Sequence, residues 1–171
     1  MELRRLPADE DAVRRFLEDL WMPYNRELET IVEGFALSDD ADIGSEELDF
    51  QLGRLESDEF RTWIAVEGSD RGDAIAETDG EFVGFVATEV DACPSTFDRP
   101  DRLLICDIYV REEARGTGLA NELVDRAKRR ARECGCSELK LEVDVGNDRA
   151  LAFYDALGFE PISHTMVADV E

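Results

Sequence analysis

The segment that most constrains the fold runs from an apolar strand through a glycine-containing loop into a long helix. Residues 103–110 form a near-continuous apolar run whose one charge is Asp107, as expected of a central strand that is covered on both faces. After a short polar stretch, apolar residues recur at every fourth position, which predicts a helix over about 116–134 that ends at Gly135. This unit favours a helix packed on a sheet.

The rest of the chain supplies further strands and helices. Apolar and charged residues alternate over 139–145, which predicts a strand, and Asn147 is placed to cap a helix that ends at Gly158. The other predicted elements, in chain order, are a strand at 3–6, helices at about 9–21 and 25–35 separated at Pro23, an acidic loop at 38–49, a short helix at 52–60, strands at 62–66 and 82–90 joined by a polar connection at 68–80, and one or two strands within 159–170. This order predicts the α/β (α+β) class, with one domain over 1–171 and a central mixed β-sheet flanked by helices on both faces.

The charge balance argues against polyanionic partners. The chain has 42 acidic and 19 basic residues, a formal net charge of −23, whereas nucleic acids and anionic membranes are bound by basic surfaces. Neither is therefore expected as a partner. Lys128 and Lys140 are the two lysines, and this preference for arginine resembles the acidic proteome of salt-accumulating halophiles. An ordinary acidic bacterial enzyme is the alternative.

Location and metal content follow from the same composition. Residues 1–11 carry charges where a signal peptide would be apolar, and the longest uncharged apolar run, 82–88, is far shorter than a membrane span of ~20 residues. We therefore expect a cytoplasmic protein. The four cysteines lack the paired spacing of a zinc site and His164 is the single histidine, so no metal is expected.

The loop at 115–120 is the strongest candidate for ligand binding. The first amides of a helix have no partners within the helix and carry partial positive charge, and glycines let a phosphate approach closely. A P-loop is excluded because no Gly-Lys-Ser/Thr follows, and a dinucleotide loop would need Gly or Ala at Asn121. Six basic and two acidic residues over 115–132 suit a phosphorylated ligand, with a solvated helix face as the alternative.

Two motifs lie at a fixed spacing in the second half of the chain. Ile108-Tyr109-Val110 is followed by the pattern R-x-x-G-x-A, formed by Arg115, Gly118 and Ala120. The alternating strand at 139–143 is followed by N-x-x-A-x-x-F-Y-x-x-x-G-F at 147–159. Together these motifs resemble those of the GNAT superfamily of acyl-CoA-dependent N-acetyltransferases. The resemblance covers 103–160, and the first hundred residues match no family motif.

The resemblance implies an acyl-CoA-binding half, 103–160, an acceptor-side half, 1–100, and acetyl-CoA as co-substrate. Backbone groups of 108–110 would pair with the pantetheine arm, amides of 115–120 would hold the pyrophosphate, and Asn147 would contact the arm from the opposite strand. The implied cofactor-binding residues are Ile108, Tyr109, Val110, Arg115, Gly116, Thr117, Gly118, Leu119, Ala120, Asn147 and Phe153.

Tyr154 and Asp107 are the catalytic candidates. The resemblance implies that Tyr154 faces the thioester sulfur and donates to the departing thiolate, although its spacing alone also suits a core tyrosine. A charge inside a buried strand is costly, so the presence of Asp107 there indicates a specific role for its carboxylate. Relatives often carry an acidic pair here, whereas this chain has Cys106-Asp107. Asp107 would then anchor or deprotonate the amine; capping a bulge or pairing with an arginine is the alternative.

The implied activity is direct transfer of an acetyl group to an amine of a small molecule or a protein. The missing first acid leaves open a non-catalytic acyl-CoA-binding sensor or regulatory module. Acidic surroundings favour a cationic amine. Trp21 and Tyr24 are candidate walls of the acceptor pocket, Glu142 is a weaker carboxylate candidate, and 162–170 is a candidate pairing surface for a homodimer.

Overall fold

The computed structural model describes residues 1–68 and 72–171, and within them five strands form one mixed sheet. The strands lie side by side in chain order: β1 (Glu2–Arg5), β2 (Phe60–Glu67), β3 (Glu81–Asp91), β4 (Arg102–Val110) and β5 (Glu138–Leu141). The first four strands pair antiparallel, and β5 runs parallel to β4. Residues 69–71 of the predicted connection 68–80 lie outside the described residues.

Helices cover both faces of the sheet, as predicted. They are α1 (Glu10–Phe16), α2 (Met22–Ile31), α3 (Ile43–Leu55), α4 (Leu119–Glu133) and α5 (Asp148–Ala156), with 3₁₀ turns at Glu33–Phe35 and Glu112–Ala114. In β2, Ile64 and Val66 pack in a core with α1 and α3, whereas Trp63 and Ala65 pack in a second core with α4. Because strand side chains alternate between faces, the sheet is buried on both sides.

The predicted break at Pro23 is wrong, because the helix continues through it. Residues 10–31 are helical throughout, and Leu17–Trp21 form a π-helical segment between α1 and α2. The Met22 amide donates to the Leu17 carbonyl, five residues back. A proline inside an α-helix lacks a donor and crowds the carbonyl four residues earlier, and the wider π turn before Pro23 gives the ring more room.

The predicted acidic loop at 38–49 and short helix at 52–60 are also wrong. Helix α3 begins inside that loop, where the Asp42 side chain accepts from the Ser45 amide, and it ends before Phe60, the first residue of β2. The sequence did not reveal the start of α3, because the exposed face of this helix is acidic. Its other face buries Leu48 and Leu55.

The strands predicted at the end of the chain are absent from the described structure. Strand β5 stops at Leu141, and no strand follows α5. The apolar side chains of this segment are exposed: Ile162, Met166, Val167 and Val170. A strand needs a covered face and a partner strand, and nothing in the described chain covers this segment.

Strands β4 and β5 separate towards one end of the sheet. Their pairing ends at Ile105 with Leu141, while β4 continues to Val110 without β5 beside it. Strand β4 also bulges at the first residue of this free stretch. Ala87 pairs with Asp107 and Thr88 with Ile105, so Cys106 is the extra residue. The fold therefore opens a gap along 106–110, beside the start of α4.

Candidate active site

A cleft of about 740 Å³ occupies the gap between the separating strands. Helix α2, strand β4, the loop before α4, the chain after β5 and helix α5 form its walls. It is lined by nearly all the residues predicted from the sequence: Asp107, Ile108, Tyr109, Val110, Arg115, Gly116, Gly118, Leu119, Ala120, Asn147, Phe153 and Tyr154. Thr117 is not among the lining residues, and its hydroxyl donates to the Ala114 carbonyl at 2.6 Å.

The start of α4 lies at one end of the cleft. Gly118 is the N-cap residue of α4, with φ of +92°, and no side chain caps this helix end in the described structure. The first-turn amides of a helix have no intrahelical acceptor, and here Leu119, Ala120 and Asn121 border the cleft. These free donors and the helix dipole suit a phosphate or pyrophosphate.

The Arg115 side chain is bound by other residues of the protein, so its guanidinium is not a free cation. It donates to both carboxylate oxygens of Glu27, at 2.8 and 2.6 Å, and to the Val110 carbonyl at 3.0 Å. Glu27 also accepts from Arg149 of α5 at 3.1 Å. Glu27 thus joins α2 to the loop before α4 and to α5, across the cleft.

The basic residues further along α4 serve structure rather than the cleft. Arg126 donates to Glu133 and stacks 4.4 Å over the Trp63 ring, and Arg130 donates to the Asp58 carbonyl at 2.8 Å. Neither arginine lines the cleft. These two arginines therefore bind other parts of the fold and not a ligand in the cleft.

Asp107 lies at the inner end of the cleft, directly after the β4 bulge. Burial raises the pKa of its carboxyl, and the nearby charge of Arg54 and a hydrogen bond with the Tyr24 hydroxyl oppose that rise. Arg54 comes from α3, where its guanidinium lies 3.8 Å from the Phe60 ring centre and donates to the Cys106 sulfur at 3.3 Å. Burial raises the pKa of the Cys106 thiol to about 11, so this thiol stays protonated at neutral pH.

Tyr154 faces the cleft from α5. Its ring packs 5.4 Å from that of Phe153 and 5.5 Å from that of Phe159, measured between ring centres. Burial, with a smaller contribution from the charge of Asp107, raises the pKa of Tyr154 to about 12. The hydroxyl is therefore a hydrogen-bond donor throughout the neutral range.

The other candidates named from the sequence divide between the cleft and the core. Tyr24 lines the cleft as expected of a wall residue, whereas Trp21 packs against the core and Glu142 lines the cleft beyond β5. Glu27 and Arg149 were missed. The spacing of the α2 side chains that line the cleft, Tyr24, Glu27, Leu28 and Ile31, indicates one helix face, but the face that a helix shows to a distant loop depends on tertiary packing.

The described residues contain neither a candidate metal site nor a candidate membrane-spanning helix. No set of three or more His, Cys, Asp or Glu side chains lies close enough together to hold a metal ion. No helix in the described part of the chain has the length and apolar character to cross a bilayer.

The separating parallel strands, the uncapped helix start and the facing α5 define an acyl-CoA N-acyltransferase type of fold. A sequence model described as the acetyltransferase (GNAT) family matches residues 18–159, more than half of the chain. The chain belongs to this family.

Two curated relatives match parts of the chain. The N-alpha-acetyltransferase MAK3 of Arabidopsis thaliana is 40% identical over 80 residues, which are 47% of this chain and 40% of that protein. The thialysine N-epsilon-acetyltransferase of Bos taurus is 39% identical over 57 residues, 33% of this chain and 34% of that protein. The chain thus spans less than half the length of these relatives.

Solved structures share the fold at low sequence identity. A tetramutant of the BH1408 protein from Bacillus halodurans has a TM-score of 0.77 at 14% identity, covering 99% of this chain and 100% of that one. The aminoglycoside N-acetyltransferase AAC(6')-Iy in complex with CoA has a TM-score of 0.65 at 18% identity, covering 99% and 93%.

Proposed function

We propose that this chain transfers the acetyl group of acetyl-CoA directly to an amine. The observation that carries the proposal is one cleft with a free helix start at one end and the Asp107 and Tyr154 side chains at the other. An extended polyanionic donor would bind along it, and an amine would meet the thioester at the inner end.

The residues of the cleft fit acetyl-CoA, which would supply the reactive thioester. The amides at 116–120 would hold the pyrophosphate, and the β4 backbone at 108–110, free of β5, would pair with the pantetheine arm. Asn147 caps α5 by accepting from the Ala150 amide at 3.2 Å. Its oxygen is thereby engaged, and its side-chain amide group is left to donate to the arm.

Asp107 would take up the proton that the amine must lose. A primary amine with a pKa near 10.4 is about 0.04% neutral at pH 7, which corresponds to ~4.6 kcal/mol. A carboxylate at the inner end of the cleft orients the ammonium and accepts its proton, directly or through water.

Tyr154 would act on the leaving group as a hydrogen-bond donor. A thiol has a reference pKa of ~8.5, and burial raises that of Tyr154 to about 12. Full proton transfer would therefore be uphill by roughly 5 kcal/mol. A hydrogen bond that strengthens as charge develops on sulfur lowers the barrier without that cost.

The acceptor is a cationic amine in this proposal. Glu47, Gln51 and Arg54 occupy one face of α3, at helical spacing, and the bond from Arg54 to Cys106 turns this face towards the β4 bulge. Gln51 is buried and donates to the Glu47 carboxylate at 2.6 Å. Burial, with a contribution from the charge of Asp107, raises the pKa of Glu47. Glu47 and Asp107 would thus replace the adjacent acidic pair that Cys106 interrupts.

The names of compared proteins agree with an amine acceptor. One is named for thialysine and another for aminoglycosides, and both acceptor classes carry amino groups. A second carboxylate would favour an acceptor with two ammonium groups over a monoamine of equal length.

Kinetics on Glu47→Gln test this proposal, with Glu46→Gln, its exposed neighbour, as the matched control. Thiol release would be followed with monoamines and diamines of equal length at fixed KCl. We expect Glu47→Gln to raise the KM for the diamine about tenfold and to leave the KM for acetyl-CoA unchanged. Equal effects of the two substitutions would contradict the acceptor assignment.

A non-catalytic acyl-CoA sensor of the same fold is the second candidate. Cys106 at the position of the first acid is the observation that favours it. Binding of acetyl-CoA with no turnover across the amine panel would select the sensor. A cytoplasmic location, salt-adapted stability and a homodimer stay predictions.

A further inference from the structure

Tyr24 reaches the inner end of the cleft because of the π-helical segment before it. Leu17–Trp21 add one residue to a helical turn, which rotates everything downstream by about 100° relative to an unbroken α-helix. The rotated side chain of Tyr24 lines the cleft together with Asp107 and Tyr154.

Aromatic neighbours fix the Tyr24 ring. Its centre lies 5.8 Å from that of Phe85, at an interplanar angle of 81°, and 5.5 Å from that of Tyr109. These are the edge-to-face and tilted arrangements that aromatic pairs prefer. Tyr109 lies two residues after Asp107 on the same face of β4, so the packing of Tyr24 on Tyr109 brings the Tyr24 hydroxyl to the part of the cleft that holds the Asp107 carboxylate. There the hydroxyl acts as a hydrogen-bond donor that lowers the pKa of Asp107.

The charged and titratable groups around Asp107 act in opposite directions. Glu47 of α3, Tyr154 of α5 and the thiol of Cys106 are coupled to it electrostatically, and Glu89 of β3 faces Cys106 and Arg54. Burial favours the protonated acid. Arg54 and the Tyr24 hydroxyl favour the carboxylate. Burial and the charge of Asp107 also raise the pKa of Tyr24 well above its ordinary value, so this hydroxyl remains a donor.

We propose that Tyr24 is a positioning residue: its hydroxyl holds the Asp107 carboxylate in the orientation that faces the acceptor amine. In the reaction the amine proton passes to Asp107, and Tyr24 keeps its own proton. The inference rests on the proposed function for the part that Asp107 plays in turnover. The link between the two side chains can be measured without turnover.

A carboxyl titration of the whole protein tests the link. Tyr24→Phe keeps the ring and removes the hydroxyl, and carbon-13 NMR follows the Asp107 carboxyl, assigned by the signal missing in Asp107→Asn. Loss of a donor to the charged form favours the protonated acid, so we expect the pKa of Asp107 to rise by about one unit. Tyr109→Phe is the matched control, because it removes a neighbouring hydroxyl that does not act on Asp107, and it should leave this pKa unchanged.

The reciprocal titration covers the case in which Tyr24→Phe folds poorly. Burial is the largest cause of the raised pKa of Tyr24, and Asp107→Asn removes the next, the charge of Asp107. A tyrosinate absorbance step should then move to lower pH, and it should vanish in the double variant with Tyr24→Phe. An unmoved step would overturn the inference.

Turnover supplies the functional readout. At saturating substrates, the acid limb of kcat should move up in Tyr24→Phe by the same amount as the pKa of Asp107. The KM for acetyl-CoA should not change. An unchanged pKa of Asp107 in folded Tyr24→Phe would overturn the inference. Absence of turnover in the unsubstituted protein would instead count against the proposed function alone.

Discussion

Substitution of Gly118 separates backbone strain from charge at the end of the cleft where α4 starts. At φ of +92° a residue with a Cβ is strained by ~1–2 kcal/mol, but no atom lies within 4 Å of the position that a Cβ would take. Gly118→Gln should therefore lower the free energy of unfolding by about that amount, which shifts the Tm of a chain of this size down by roughly 2–8 °C. Gly118→Glu adds a negative charge without added strain, since a carboxylate suits a helix N-terminus.

The charge should show in acetyl-CoA binding. Two unit charges ~4 Å apart interact by about 4 kcal/mol at an effective dielectric constant of 20, and salt screens part of this. We expect Gly118→Glu to bind acetyl-CoA at least about a hundredfold more weakly than Gly118→Gln, as measured by calorimetric titration at matched KCl.

Gly135 provides the control at the other end of α4. It has φ of +74° and likewise no atom within 4 Å of a Cβ, but it is not among the residues that line the cleft. Gly135→Gln should cost a similar amount of stability and leave acetyl-CoA affinity unchanged. Equal affinities of Gly118→Glu and Gly118→Gln would refute the assignment of this helix start to the pyrophosphate.

Four further predictions concern the rest of the site and the surface. Tyr154→Phe should lower kcat about a hundredfold with acetyl-CoA affinity intact in calorimetry; equal losses in both would indicate a packing role. Glu27→Gln should lower the Tm by about 2–4 °C, because the half-buried contact with Arg115 and the exposed contact with Arg149 are weakened, without weakening acetyl-CoA binding; an unchanged Tm would argue against the cross-cleft link. Because burial raises the pKa of Asp107 in the folded state, its ionisation destabilises the fold above that pKa and the penalty is relieved as pH falls. Asp107→Asn should therefore raise the Tm at pH 7 while turnover is lost, and a lower Tm would contradict this. With a net charge of −23, the Tm should rise from dilute to molar KCl, whereas a flat profile would exclude salt adaptation.

The part of the cleft formed by residues 103–160 was predictable because its signals are local. The glycine loop, the strand before it and the Asn147 cap all act within a few residues of chain, and the structure brings them together in the cleft. Thr117 shows the limit of this reasoning, since its side chain binds the loop itself.

The acceptor side was less predictable because it depends on contacts between distant segments. Glu27 and Arg115 are 88 residues apart in the chain, and no pattern at either position indicates the other. Pro23 was wrongly predicted to break the helix, because no pattern in the sequence marks the π-helical turn that lets the helix continue. Helix α3 was missed because its acidic exposed face resembles a loop.

The strands predicted at the end of the chain are wrong for a different reason. The segment 159–170 was predicted to supply one or two strands, but a strand needs a covered face and a partner. The described structure supplies neither for this segment.

Acetyl transfer itself is the most direct test of this account. The protein would be incubated with acetyl-CoA and a panel of monoamines and diamines in molar KCl, with free thiol and acetylated amine measured in the same samples. Thiol release matched by acetylated amine, abolished in Asp107→Asn, is the predicted result. Acetyl-CoA binding without any acetylated amine in folded protein would contradict the proposed function and select the sensor.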